Sequence, residues 1–256
     1  MNSELKGIVL KSKPFSNKDI LLTLFTDKEG KITVLAKGVR GAKRSVLYTQ
    51  PFAYSEFMLY RGSSLYTVDQ ANIIESFYSL RNDIETLAAA QYLLDLVEQL
   101  PREMHSGDES SILKLLLNSL YLLGKNASDS AAIKRIKMMF ELKFCALCGF
   151  APDLSECTVC GKKEGAFWIY TEGLRCTDCG QNHPDGHRIT DSMAKAICYV
   201  LDTDMAKAYK FTMPQDALNY LATVVENFVM FVFNKEFTTL NYYRSLDVSQ
   251  FMKGQK

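Results

Sequence analysis

Four cysteines in two close pairs constrain this chain more than any other feature. Cys157-Thr-Val-Cys160 is followed, after fifteen residues, by Cys176-Thr-Asp-Cys179. Two residues between cysteines let both sulfurs face one ion from a tight turn, and the spacing is that of a four-cysteine zinc site. Four thiolates at about 2.3 Å complete a tetrahedral shell and leave no position for water. The pattern therefore predicts one structural zinc, not a catalytic one. Gly161 and Gly180 each follow a second cysteine, where glycine lets the backbone turn and bring amides toward sulfur. Phe167, Trp168 and Ile169 lie between the pairs and are expected to supply a miniature core.

The other three cysteines read differently. Cys145-Ala-Leu-Cys148 repeats the CxxC spacing, but it closes an apolar helical run, Ile136–Phe150, and has no second pair downstream. A redox reading would need a neighbouring βαβ unit, so Cys145 and Cys148 are read as packing residues, and Cys198 as core. His183 and His187 follow the second knuckle and are read as loop or surface residues. Met1–Lys13 lacks the apolar run of a signal peptide, and Ala217–Asn234 carries Glu226 where a membrane span would exclude it. An odd number of cysteines without a secretion signal favours metal over disulfides. The expectation is a cytoplasmic protein with no membrane association.

Ahead of the cysteines, two patterns divide the chain. Glu4–Lys13, Ile20–Thr26, Lys31–Val39, Phe52–Tyr60 and Leu65–Ile74 show strand character, with apolar residues alternating at Ile8/Leu10, Leu22/Leu24 and Ile32/Val34/Ala36. Asp27–Gly30 and Arg61–Ser64 punctuate them as hairpin loops, Gly30 being free to take positive φ. Five short strands fit a small closed barrel; strand count leaves both the OB-fold and an SH3-like barrel open. From about Ser79 the spacing becomes helical. Helices are expected over Asn82–Leu100, Ser110–Leu123, Ser128 to about Cys148, Ser192–Leu201 with Asp191 as cap, and from Pro214 to about Phe233. The division predicted is an α+β, multi-domain chain: residues 1–79 a β-barrel, 80–256 a helical domain, with the zinc element inserted at about 153–183.

Charge is also unevenly placed. The 256-residue chain is nearly neutral, with 30 Lys+Arg against 29 Asp+Glu. Residues 1–50 alone hold ten cations and four acids, a net of +6. Lys37-Gly-Val-Arg40-Gly-Ala-Lys43-Arg44 concentrates four of them beside a strand. Cations in this density neutralise phosphates and release counterions, giving salt-dependent affinity without sequence reading. Lys11, Lys13 and Lys18 flank the first strand and loop, and Lys11 and Lys13 are taken as part of the same nucleic-acid-binding set. Tyr48, Phe52 and Tyr54 are candidates for stacking on bases. The run lacks the spacing of a nucleotide-phosphate loop. No GxSxG or HExxH is present, and three histidines leave little for general-base chemistry, so a binding protein is expected rather than an enzyme, with no catalytic residues and no small-molecule substrate.

Taken in order, these segments resemble the RecO family of bacterial DNA repair and recombination proteins. The resemblance rests on Gly7-Ile-Val-Leu10, Asp19-Ile-Leu-Leu-Thr-Leu-Phe25, Glu29-Gly-Lys31, Lys37-Gly-Val-Arg40, Gln50-Pro-Phe52, Phe140-Glu-Leu-Lys143 and Leu147-Cys-Gly-Phe150, then Pro152, Leu154 and Cys157-x-x-Cys160-Gly161. It implies an N-terminal OB-fold followed by a helical domain with an inserted zinc element. It implies binding of single- and double-stranded DNA and annealing of complementary strands. It also implies partnership with RecR and the single-stranded DNA-binding protein, so that RecA loads on coated DNA. Family members do not all keep four cysteines; this chain does. Two rivals remain at this point: a zinc-ribbon protein–protein adaptor without annealing activity, and a DNA-processing nuclease, for which no cluster of carboxylates is visible.

Overall fold

The computed structural model describes residues 2–39, 47–62, 65–100, 108–163, 167–170, 173–180 and 186–246. It divides into two compact units, residues 1–127 with 239–256, and residues 128–238.

The first unit is built on a barrel of five strands: β1 (Asn2–Pro14), β2 (Ile20–Thr26), β3 (Gly30–Ala36), β4 (Tyr54–Arg61) and β5 (Tyr66–Glu75). Their order is β1-β2-β3-β5-β4, closed between β4 and β1. β1 pairs with β4 through its first half (Asn2↔Tyr60 to Ile8↔Tyr54) and with β2 through its second (Gly7↔Thr26 to Pro14↔Ile20). An irregularity between Val9 and Lys11 lets it serve both. β3 and β5 close the ring in parallel at Val34↔Tyr66 and Leu35↔Thr67. The period-two pattern explains the interior. Leu22, Leu24, Val34 and Ala36 are fully buried and meet Leu5, Val9, Phe57 and Leu59. Burying each large side chain of this set is worth roughly 1.5–3 kcal/mol. Gly30 turns the β2–β3 hairpin at φ 60, the left-handed region that its missing Cβ permits.

Helices α1 (Ile84–Glu98) and α2 (Glu109–Lys125) follow the barrel in this unit. Asp83 caps α1 by accepting from the Thr86 amide at 2.8 Å. The chain returns after the second unit as α8 (Thr238–Ser245), where the Thr239 hydroxyl donates to Asp95 of α1 at 2.8 Å. The pattern change near Ser79 thus marks where strand gives way to helix, while α1 and α2 belong to the same compact unit as the barrel.

The second unit packs α3 (Ser130–Leu147) against α5 (Asp191–Asp202) and α7 (Gln215–Val232). Phe140 stacks on Phe144, and Phe144 on Phe233 (centroids 5.4 and 5.8 Å). The caps sit one residue from their expected positions: Asp129 caps α3 and Thr190 caps α5. Between α3 and α5 lies a small sheet, β6 (Phe167–Tyr170), β7 (Gly173–Cys176) and β8 (His187–Ile189), in the order β7-β6-β8, with the single helical turn α4 (Thr177–Gly180). A second short turn, α6 (Met205–Ala208), precedes α7. The sheet was expected only as a loop with a small core. Among the described residues, no helix is long and apolar enough to cross a membrane.

Candidate metal centre and nucleic-acid interface

The cysteine pairs converge because two backbone segments are laced together. Cys157 forms a bridge with Leu174 of β7, and the Thr158 amide donates to the Leu174 carbonyl at 2.8 Å. The Leu174 amide in turn donates to Asp153. Gly173 has φ 138, and a Cβ there would lie 2.5 Å from the Asp153 carbonyl oxygen, so only glycine fits this crossing. Gly161, at φ 73, closes the first knuckle with its amide on the Cys157 carbonyl at 2.8 Å. Gly180 instead ends the helical turn that carries Cys179.

The result is a cluster of four sulfurs, all within 4.8 Å of one another. The Cys160 and Cys176 sulfurs are 3.7 Å apart. A tetrahedron with sulfur bonds of about 2.3 Å has edges of about 3.8 Å, so the cluster already has the dimensions of a thiolate metal site. Its electrostatics are those of sulfurs competing for protons. Burial pushes the Cys157 thiol up, but backbone hydrogen bonds from Cys176, Val159 and Cys160 outweigh it and bring the pKa down to about 6. Cys179, beside the sulfurs of Cys176 and Cys160, is pushed up to about 12. A cation at the centre relieves that crowding. None of the seven cysteines is in a disulfide. The four-cysteine group can hold a metal ion.

The remaining candidates fall into place around it. Cys145 and Cys148 are buried, and desolvation, then Cys148 and Glu141, push the Cys145 thiol up, as expected of an inert packing residue. Cys198 is half-buried on α5. His183 lies outside the described residues. His187 stands on β8, its Nε2 3.0 Å from Asn227 Nδ2 of α7, and Tyr220 of α7 donates to the neighbouring Arg188 carbonyl at 2.7 Å. These bonds dock the small sheet on the helix, a structural role the sequence did not suggest.

On the barrel, the six cations of the candidate DNA set separate. Arg40, Lys43 and Arg44 lie outside the described residues. Lys37 is exposed just past β3, and Lys13 is exposed on β1, opposite Leu21. Lys11, in contrast, is ion-paired: its ammonium is 2.7 Å from Glu98 at the end of α1, where Lys31 also donates to the Glu98 carbonyl. The aromatic candidates are largely committed to the fold. Phe52 is 3% exposed, and Tyr48 sets its edge against Phe57 at 6.3 Å. Tyr54 is half-buried on β4. Other rings near the barrel are exposed, among them Phe15 (59%) and Tyr60 (55%).

Comparison with known proteins addresses both units. The family model described as "Recombination protein O N terminal" matches residues 1–77, and "Recombination protein O C terminal" matches residues 81–239. The chain is 33% identical over 245 residues to the DNA repair protein RecO of Acetivibrio thermocellus, covering 94% of this chain and 96% of that one. It is 34% identical over 229 residues to that of Alkaliphilus metalliredigens (88% and 91%), and 30% identical over 243 residues to that of Caldicellulosiruptor saccharolyticus (93% and 96%).

Proposed function

The chain belongs to the RecO family of DNA repair proteins, and from that premise we propose that it is a non-enzymatic mediator of DNA repair and recombination. It binds single- and double-stranded DNA through the barrel and anneals complementary strands. With RecR and the single-stranded DNA-binding protein it helps RecA load on coated DNA, and it works in the bacterial cytoplasm at the nucleoid. The observation supporting this reading is the match to both family models, which together cover the barrel and the helical unit.

The mechanism rests on charge. Lys13 and Lys37, with Arg40, Lys43 and Arg44 of the same segment, bind phosphates without reading bases. Neutralising one strand lowers its repulsion for the complement, and base pairing supplies the driving force. No bond is made or broken. The ion held by Cys157, Cys160, Cys176 and Cys179 is zinc: four thiolates suit it in type and geometry. Its coordination is complete, so its part is to fix the small sheet.

The test is annealing of two complementary labelled oligonucleotides across a salt series. The protein is expected to accelerate annealing, with the effect fading as salt rises. A folded, metal-loaded protein that gives no acceleration would favour the adaptor reading instead.

A further inference from the structure

The loop between β1 and β2 carries features that the basic segment alone does not account for. It is short, Phe15–Asp19, and closed by its own hydrogen bonds. The Phe15 amide donates to the Asp19 carbonyl at 3.0 Å, and the Lys18 and Asp19 amides donate to the Ser16 hydroxyl at 3.2 and 3.1 Å. The Asp19 carboxylate reaches across to the turn after β3 and accepts the Gly38 amide at 2.9 Å. Gly38 has φ +67, and a Cβ added there would meet nothing within 4 Å. Open space around a left-handed glycine means that its conformation is required by the path of the chain rather than by crowding. The Ile20↔Ala36 pairing brings the same two segments side by side.

Asp19 is an acid in the most basic part of the chain. Its carboxyl is held below its ordinary value by the Gly38 amide, then the Ser16 hydroxyl; desolvation opposes this, and Lys37 and Lys18 add smaller lowering effects. Placed only for charge, it would weaken a phosphate-binding face. Placed as an acceptor, it fixes where Lys37 and the start of the basic segment emerge. The loop it anchors exposes Lys18 and the Phe15 ring. A single exposed ring is ordinary; one set in a hydrogen-bonded loop between Lys13 and Lys18, tied to Gly38 beside Lys37, has the composition of a site that tracks a phosphate backbone and stacks a base.

We propose that the Phe15–Asp19 loop and the Lys37–Gly38 turn form one preassembled contact for single-stranded DNA, in which Phe15 stacks on a base, Lys18 and Lys37 meet phosphates, and Asp19 is the positioning residue that clasps the two segments. This rests on the DNA-binding reading above and assigns residues to it.

The experiment measures affinity of the full, metal-loaded chain for a fluorescent oligothymidylate across a salt series, with Asp19→Ala, Asp19→Asn and Phe15→Ala, the fold of each being checked by circular dichroism. Simple electrostatics predicts tighter binding for both Asp19 variants, since each removes a negative charge. The clasp predicts that Asp19→Ala binds about fivefold more weakly, the scale of one hydrogen bond, while Asp19→Asn, which keeps an acceptor oxygen, retains or improves affinity. Phe15→Ala should weaken binding about tenfold with an unchanged salt slope, as for one stacked base. Phe15→Trp should hold affinity and be quenched by the oligonucleotide. Asp19→Ala binding as well as or better than the original chain would overturn the clasp, as would loss of affinity in Asp19→Asn equal to that in Asp19→Ala. An unchanged Phe15→Ala, or an unquenched Phe15→Trp, would overturn the stacking role and serves as the test should Asp19→Ala fail to fold. Absence of binding by the original chain would overturn the proposed function itself, a different result from a variant that behaves like it.

Discussion

The barrel and the cysteine sheet hold short strands together by different means. The barrel closes on itself, so its strands leave few edges, and its alternating residues supply most of a buried core that runs from Leu5 to Leu59 among the described residues. The cysteine sheet has strands of only four, four and three residues. Its described interior is small: Ile169, Leu174 and Ile189, with the sulfurs of Cys157 and Cys176. Strands this short gain little from pairing with one another against the entropy of ordering them, and elements of this size are stapled by a metal or a disulfide. The comparison teaches that one region is specified by a pattern spread over many residues, the other by four atoms.

The largest effect should follow from removing the metal. Zinc supplies an apparent folding free energy of about 10–16 kcal/mol in isolated four-ligand elements at neutral pH. Chelation, or Cys176→Ser, should unfold the segment that carries β6, β7 and β8 and leave the barrel formed. The chain's only tryptophan, Trp168, lies on β6, so its emission reports this region. A change in that emission on chelation, with barrel amides still protected from exchange, is expected. Trp168 emission indifferent to a complete loss of metal would break the contrast between the two regions.

The second effect tests whether the helices beside that sheet lean on polar contacts as well. Lys137 of α3 is fully buried, 2.9 Å from Glu141 and 2.7 Å from Glu226 of α7. Burial lowers its pKa, but the two carboxylates more than reverse this and raise it, so the ammonium stays charged. Lys137→Met leaves two carboxylates facing each other without their shared cation, a change that costs about 3–5 kcal/mol. Their folded pKa values should then rise above the unfolded ones. The sign follows: the variant's deficit is smallest at low pH, where both carboxyls are protonated, and grows as pH rises toward neutrality. Urea melts at pH 5 and pH 8 would show it; equal deficits at both would mean that the triad does not carry charge as described.

The same contrast explains what was legible in the sequence. Strand β2 falls on its expected bounds, and the other four barrel strands on similar ones, because a period of two is a local signal that burial enforces. The four cysteines were legible for the same reason: ligands two residues apart declare a site on their own. What was hidden depends on distant partners. Phe140-Glu-Leu-Lys143 could be matched to a family but not explained. In the structure Phe140 is core, Glu141 holds Lys137, and Lys143 donates to the carbonyls of Leu201 and Thr203 at the end of α5. Helix α8 was missed because Thr238–Ser245 is polar and brief, its register set by Leu240, Tyr243 and the Thr239–Asp95 bond. Phe52, read as a base-stacking candidate, sits buried at φ 73, a conformation no sequence pattern announces.

The smallest effect separates two lysines that look alike in sequence. Lys11 and Lys37 both flank barrel strands and carry equal charge. The Lys11 ammonium is already matched by Glu98, and Lys37 stands exposed beyond β3. Replacing Lys37 by Gln should lower the salt slope of DNA binding by about one, as expected when one phosphate contact is lost. Lys11→Gln should change the slope by much less. The Lys11 side chain is 37% exposed, so its loss should cost the unit no more than about 1 kcal/mol, the range of solvent-screened pairs. Equal slopes for the two variants, both below that of the original chain, would mean that DNA displaces Glu98 from Lys11. The ion pair would then belong to the binding surface rather than to the seam between β1 and α1.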